Sequence, residues 1–119
     1  DAMNRHGLPW PVITPDALKG LMEGARAARV SEPVARYAYQ VVTATREDEA
    51  VALGLSPRAA LAWLKAARAR AFLDGRDYVL PDDLKALARA CLGHRVLLKG
   101  GGDACALLDT ILAQVPVEL

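Results

Sequence analysis

Residues Ser56–Gly75 read SPRAALAWLKAARARAFLDG, and the spacing within this run decides the fold. Ser56 followed by Pro57 is a sound helix start: a hydroxyl to cap the first turn, then a residue whose fixed φ suits the first helical position. Ala60, Trp63, Leu64, Ala67 and Ala71 then recur on one face, while Leu61 and Phe72 lie off it. A helix apolar over so much of its circumference is expected to be the central, most buried element. It runs to Asp74, where Gly75 suits the left-handed position that ends a helix. Arg58 sits awkwardly in this frame. The first turn exposes backbone N–H groups carrying partial positive charge, so a cation there costs a few tenths of a kcal/mol.

Working outward, four more segments show helical periodicity. Thr14-Pro15 opens the first, with Leu18, Leu21, Met22 and Ala25 on one face. Ser31-Glu32-Pro33 opens the second, whose stripe is Val34, Tyr37, Ala38, Val41, Val42 and Thr45. Pro81-Asp82-Asp83 opens the fourth, with two carboxylates at the positive end of the helix. Leu84, Leu87, Ala88, Cys91 and Leu92 form its stripe, and Gly93 is expected to stop it. The fifth follows Gly100-Gly101-Gly102, with Asp103 as cap; Leu107, Leu108, Ile111, Leu112 and Val115 face inward and Pro116 bars continuation. Tyr78-Val79-Leu80 is a candidate short strand, with Arg95–Leu98 as its candidate partner.

The fold class is therefore all-α, a small helical bundle of about five helices with short connections and at most one minimal two-stranded pairing. Residues 1–11 hold two prolines, a glycine and no periodicity, and read as a linker or cloning remnant, since the chain opens at Asp1 with Met3 inside. Residues 12–119 form one domain. The chain of 119 residues is long enough for one hydrophobic core, and its 53% apolar and 24% charged residues are ordinary globular composition. Fifteen basic residues against fourteen acidic ones leave a net charge of +1, without the basic excess of a nucleic-acid binder. The Lys65, Arg68 and Arg70 group reads as a solvated helix face. No apolar run approaches the length of a membrane span and no signal peptide opens the chain. Cys91 and Cys105 form neither a disulfide framework nor a metal site and read as small core-facing hydrophobes, which fits a cytoplasmic location.

Chemistry is scarce. His6 lies in the linker, and His94, just after a helix end, reads as a C-terminal cap. Ser31 and Ser56 both read as helix caps. Nucleophile-elbow, zinc-protease and paired-cysteine patterns are absent. The triple glycine is no phosphate loop, because Lys99 precedes it and the acidic Asp103 follows. Asp82-Asp83 reads as helix-start chemistry, not an acid/base pair. The chain is expected to catalyse nothing by itself.

That leaves Arg58: either a solvated side chain tolerated near a helix start, or a charged fork aimed at an anion beside exposed backbone donors. Its surroundings bear on the choice. The run Gly54–Leu98, GLSPRAALAWLKAARARAFLDGRDYVLPDDLKALARACLGHRVLL, closely resembles the C-terminal lid subdomain of MoxR-type AAA+ ATPases. Gly54, Ser56–Ala59, Gly75–Val79, Pro81–Asp83 and His94-Arg95 stand in the family's order. Val41–Glu47, VVTATRE, and Ile111–Val117, ILAQVPV, resemble its flanking segments, so the likeness spans about residues 12–117. One departure is Leu80, where the family commonly has threonine able to cap the helix; Asp82 and Asp83 are then expected to carry more of that start.

The resemblance implies that Arg58 is the sensor-2 arginine, reaching the terminal phosphates of ATP and making lid closure sensitive to the third phosphate. It implies ATP with Mg in a full-length ATPase, and none for this chain alone. Its partners would be the ATPase's own AAA+ core, neighbouring subunits of a hexameric ring, and a protein client, in a bacterial chaperone-like remodeller. The competing reading is a free-standing helical interaction module or a helix-turn-helix-like transcriptional regulator. Against it, the link Glu47–Leu55 between segments two and three is long and acidic for a tight turn.

Overall fold

The computed structural model describes residues 14–117; the linker expected over residues 1–11 lies outside them. Five α-helices follow in order: α1 Pro15–Ala27, α2 Glu32–Glu47, α3 Pro57–Leu73, α4 Pro81–Leu92 and α5 Cys105–Gln114. This is the all-α bundle that the periodicity predicts. Proline stands in the first two positions of α1 to α4. Thr14 Oγ1 accepts the Ala17 N–H at 3.1 Å and Ser56 Oγ accepts the Ala59 N–H at 3.2 Å, so these two hydroxyl caps form as expected, whereas Ser31 holds the position before α2 without a side-chain capping bond.

The core fills from the predicted stripes. Val34, Tyr37, Ala38, Val41, Val42 and Thr45 of α2 are all buried. Helix α3 packs against α1, α2 and α4 and is central. It buries Ala59, Trp63, Ala67 and Ala71, with Ala59 instead of Ala60 at the head of the stripe. It is not the most buried helix: α2 buries six residues and α3 four, because one flank of α3 faces solvent at Leu61 and Lys65. Two buried polar groups lock helices together. Trp63 Nε1 donates to the Leu84 carbonyl and the Tyr37 hydroxyl donates to the Leu112 carbonyl, each at 2.8 Å. Burial pushes the Tyr37 phenol above its ordinary range.

The strand expectation is half corrected. A two-stranded antiparallel sheet exists, but its members are β1 Val51–Leu53 and β2 Leu97–Leu98. Tyr78 is not in it; it forms an isolated parallel bridge with Arg29, held by Arg29 N–H to Asp77 carbonyl and Val79 N–H to Arg29 carbonyl, each 2.8 Å. The partner of Leu97–Leu98 thus comes from the link between α2 and α3, which carries no alternating pattern long enough to announce a strand.

Two termini add detail. Gly93 stops α4 as expected, and at φ −56° it leads into a 3-10 turn, Gly93–Arg95, that holds His94 exposed. A Cβ at Gly93 would come within 3.0 Å of Cys105 Sγ, so close packing explains the glycine. Asp103 sits one residue before the residue capping α5, and its Oδ1 accepts the Cys105 N–H at 2.9 Å. Cys91 and Cys105 are free thiols, each partly buried.

Candidate functional site

Arg58 occupies the second position of α3, exposed, and no described residue pairs with it. No acidic residue stands in that first turn. By contrast, α4 carries Asp82 and Asp83 in the same place. Pro57 brings no N–H and Ser56 takes those of Ala59 and Ala60, so it is the guanidinium, with no competing carboxylate in that turn, that this end of α3 offers an anion.

What holds this helix start comes from α2. The Thr45 hydroxyl, fully buried, donates to the Val42 carbonyl at 2.7 Å and accepts the Leu55 N–H at 3.1 Å. Leu55, 1% exposed, anchors the residue just before Ser56 in the core. One position earlier, Gly54 runs so close to α2 that a Cβ would lie 2.8 Å from Arg46 Cα and 2.9 Å from Arg46 N. The two stretches VVTATRE and GLSPR are thus one physical unit: the end of α2 grips the approach to α3 and fixes where Arg58 emerges. The sequence reading placed Thr45 in the apolar stripe and missed this role. A lone threonine in an otherwise apolar face, which must satisfy its hydroxyl when buried, was the available signal.

A groove of about 620 Å³ runs beside the site between α2 and α3, lined by Tyr39, Val42, Arg46, Pro57, Leu61 and Leu64 among others. Between α2 and α3 the chain extends through β1 instead of turning tightly, unlike a helix-turn-helix.

The second functional-looking motif, Arg76 to Asp83, builds an ion cluster at the far end of α3. Asp83 is fully buried and accepts from Arg70 at 2.5 Å and from Arg76 at 2.7 and 2.8 Å. Its Oδ2 also accepts the Leu80 N–H at 2.7 Å, while its own N–H donates to the Leu80 carbonyl at 3.0 Å. Leu80 offers no capping oxygen, and Asp83 supplies the start of α4 as expected; Asp82 stays exposed. Burial alone would raise the Asp83 pKa, but the bonds from Arg76, the Leu80 amide and Arg70 hold it down to about 2. Such a carboxylate is permanently charged at neutral pH, structural and unfit to shuttle protons. Arg89 pairs likewise with Asp109 across α4 and α5. Among the described residues no group of three or more acidic, histidine or cysteine side chains is placed to hold a metal, and no helix is long and apolar enough to cross a membrane.

Comparison with known proteins gives a consistent picture. Residues 43–108 match the family model of the AAA lid domain. The uncharacterized protein YeaC of Bacillus subtilis is 40% identical over 114 residues, covering 92% of this chain and 36% of YeaC. Chaperone MoxR1 of Mycobacterium tuberculosis is 35% identical over 124 residues, covering 89% of this chain and 32% of MoxR1. The crystal structure of a candidate ATPase from Cytophaga hutchinsonii superimposes with a TM-score of 0.74 at 30% identity, covering 82% of this chain and 34% of that one. This chain thus spans about a third of the length of the curated relatives it matches.

Proposed function

Since the chain belongs to the AAA lid domain family, in the form found in MoxR-type AAA+ ATPases, we propose that Arg58 is its sensor-2 residue. Arg58 contacts the terminal phosphates of ATP held with Mg by the ATPase core. Lid closure then depends on whether the third phosphate is present, and hydrolysis releases that contact. The lid motion passes to neighbouring subunits of a ring, hexameric in the reading favoured here, that remodels a protein client in the cytoplasm. The chain contributes a charged contact and a moving body, and no nucleophile or base.

One observation supports this most: an exposed, unpaired arginine in the first turn of α3, at a helix start with no acid to neutralise it. The geometry at Thr45, Gly54 and Leu55 fits the same role, because a residue that senses a phosphate needs a fixed base. The test is ATP turnover and nucleotide affinity of the full-length ATPase carrying Arg58→Ala. Turnover is expected to fall at least about tenfold, the scale of losing one charge-stabilising contact. Unchanged turnover with unchanged affinity would defeat the sensor role.

A further inference from the structure

Helix α1 packs onto α3, yet none of its residues is buried. Gly24 makes the tight part of that contact: a Cβ there would meet the Phe72 ring at 2.2 Å. The seam between the two helices is therefore narrow, and its charges matter.

Along it runs a groove of about 490 Å³ lined by Met22, Ala25 and Arg26 of α1 and by Lys65 and Arg68 of α3. Its three charged lining residues are all cations, contributed from both sides. Like charges gathered across a joint oppose its closure. Elsewhere the fold answers its arginines: Arg29, Arg36, Arg70, Arg76 and Arg89 each hold a carboxylate. Arg26, Lys65 and Arg68 make no ion pair or hydrogen bond among the described residues. Arg68 is the most demanding of them. Its Nε is covered without any acceptor, and a buried donor in that state calls for an ion or a water to complete it. Arg58 lies outside the groove, about two helical turns before Lys65.

We propose that the α1–α3 seam is a binding site for an oligophosphate, a short chain of linked phosphates. The proposal uses none of the residues of the sensor-2 reading and stands whether or not that reading holds. Charge sets the ligand class. Three positive charges fixed on two helices match a flexible molecule that packs several negative charges into a small volume. Guanidinium forks take phosphate oxygens two at a time, and Lys65 adds a point charge one turn from Arg68. A single small anion would meet one cation and leave the others opposed. Bound across the seam, the phosphate chain turns repulsion into a bridge: Arg26 on α1 and Lys65 with Arg68 on α3 hold one molecule, and α1 is drawn onto α3. A free inorganic chain and the tail of a nucleoside triphosphate share this chemistry.

Hydrogen exchange of the α1 amides in this 119-residue chain reads the tightening. The ligand is inorganic tripolyphosphate at low ionic strength, where such contacts are least screened. At about ten times its dissociation constant it is expected to slow the α1 amides by about tenfold, the factor mass action allows, with α4 unchanged. Sulfate at matched ionic strength is expected to leave α1 as it was. The Arg26→Gln/Lys65→Gln variant, altering two exposed side chains, is expected to lose the protection. Without ligand, its α1 should exchange no faster than the parent's, because the substitution also relieves the repulsion. Faster exchange there overturns the proposal, since the cations would then be holding α1 by themselves. Unaltered exchange with tripolyphosphate, equal protection by sulfate, or protection that survives the double substitution overturns it too. So does protection that disappears in Arg58→Ala, which would put the phosphates at the start of α3. Magnesium-free ATP separates the two sources. Protection by both ligands assigns the seam to the phosphate chain of either, and protection by tripolyphosphate alone restricts it to a free chain. Protection by ATP alone overturns the proposal, because the base would then be what binds.

Discussion

Arg76 grips Asp83 with both arms of its guanidinium, Nη1 on Oδ2 at 2.8 Å and Nη2 on Oδ1 at 2.7 Å. Arg76 is 14% exposed and Asp83 not at all. The same carboxylate caps α4 through Leu80 and takes Arg70 from α3, so one side chain joins the end of α3, its following loop and the start of α4. Asp83→Asn keeps the shape but removes the charge, leaving the well-covered Arg76 without its counter-ion. We expect a loss of about 3 kcal/mol, the lower range for breaking a buried pair from one side, measured by chemical denaturation. A change under about 1 kcal/mol would mean the cluster is dispensable.

The same group sets an acid limit. Its pKa is depressed from an unfolded value near 3.9 to about 2. A depressed carboxylate stabilises the fold above the unfolded pKa and loses that contribution as pH falls through the folded one. Stability is therefore expected to be level above about pH 5 and to fall between about pH 4 and 2, by roughly 2 kcal/mol from this residue. Asp109, held low by Arg89, adds in the same direction. Denaturation midpoints across this range check it, and Asp83→Asn should flatten the slope; an identical slope would assign the acid sensitivity elsewhere.

Gly54→Ala places a methyl within 3 Å of the Arg46 main chain. Backbone cannot swing aside as a side-chain tip can, so the link before α3 must lift off α2. We expect at least about 2 kcal/mol of destabilisation, in the range for overpacking a tight site. Gly24→Ala is the instructive contrast: the atoms nearest its new methyl all belong to the Phe72 side chain, which can swing aside about its Cα–Cβ bond where backbone cannot, and alanine raises helix propensity by about 1 kcal/mol. Thermal melts of the two variants should differ clearly, with Gly54→Ala melting lower.

Thr45→Val preserves volume and removes a hydroxyl. The Leu55 N–H is then buried without its acceptor, at a cost of about 1–3 kcal/mol, whereas Thr45→Ser retains the bond. Beyond stability, Thr45→Val in the full-length ATPase should lower ATP turnover at a temperature where the protein stays folded, because the base of Arg58 loosens. Normal turnover in the folded variant would show that Arg58 does not depend on this anchor.

The helices were legible because their information is local. Period, hydroxyl caps, prolines and Gly75 (φ +79°) all lie within the elements they define. The sheet was half legible: Arg95–Leu98 was read as one strand, but its partner was not, since Val51 and Leu98 pair across two intervening helices and the segment around Val51 is too short to show alternation. Asp83 was readable as a helix start, but its burial and double arginine grip depend on where α3 ends relative to α4. Arg58 stood out only as a local misfit. Its tether through Thr45 and Gly54 needed the structure, for nothing in a single apolar stripe says which hydroxyl will face which amide.

The pairing of Val51 with Leu98 has a consequence for the order of assembly. It closes a loop from position 51 to position 98, and the entropy of bringing such distant points together is recovered only once α3 and α4 have packed between them. The helical pair is expected to form first and this clasp last. Unfolding starts where folding finishes, so the clasp beside Leu55 should open before the helices separate. Arg58 is thus presented in its final position only by a chain that has finished folding.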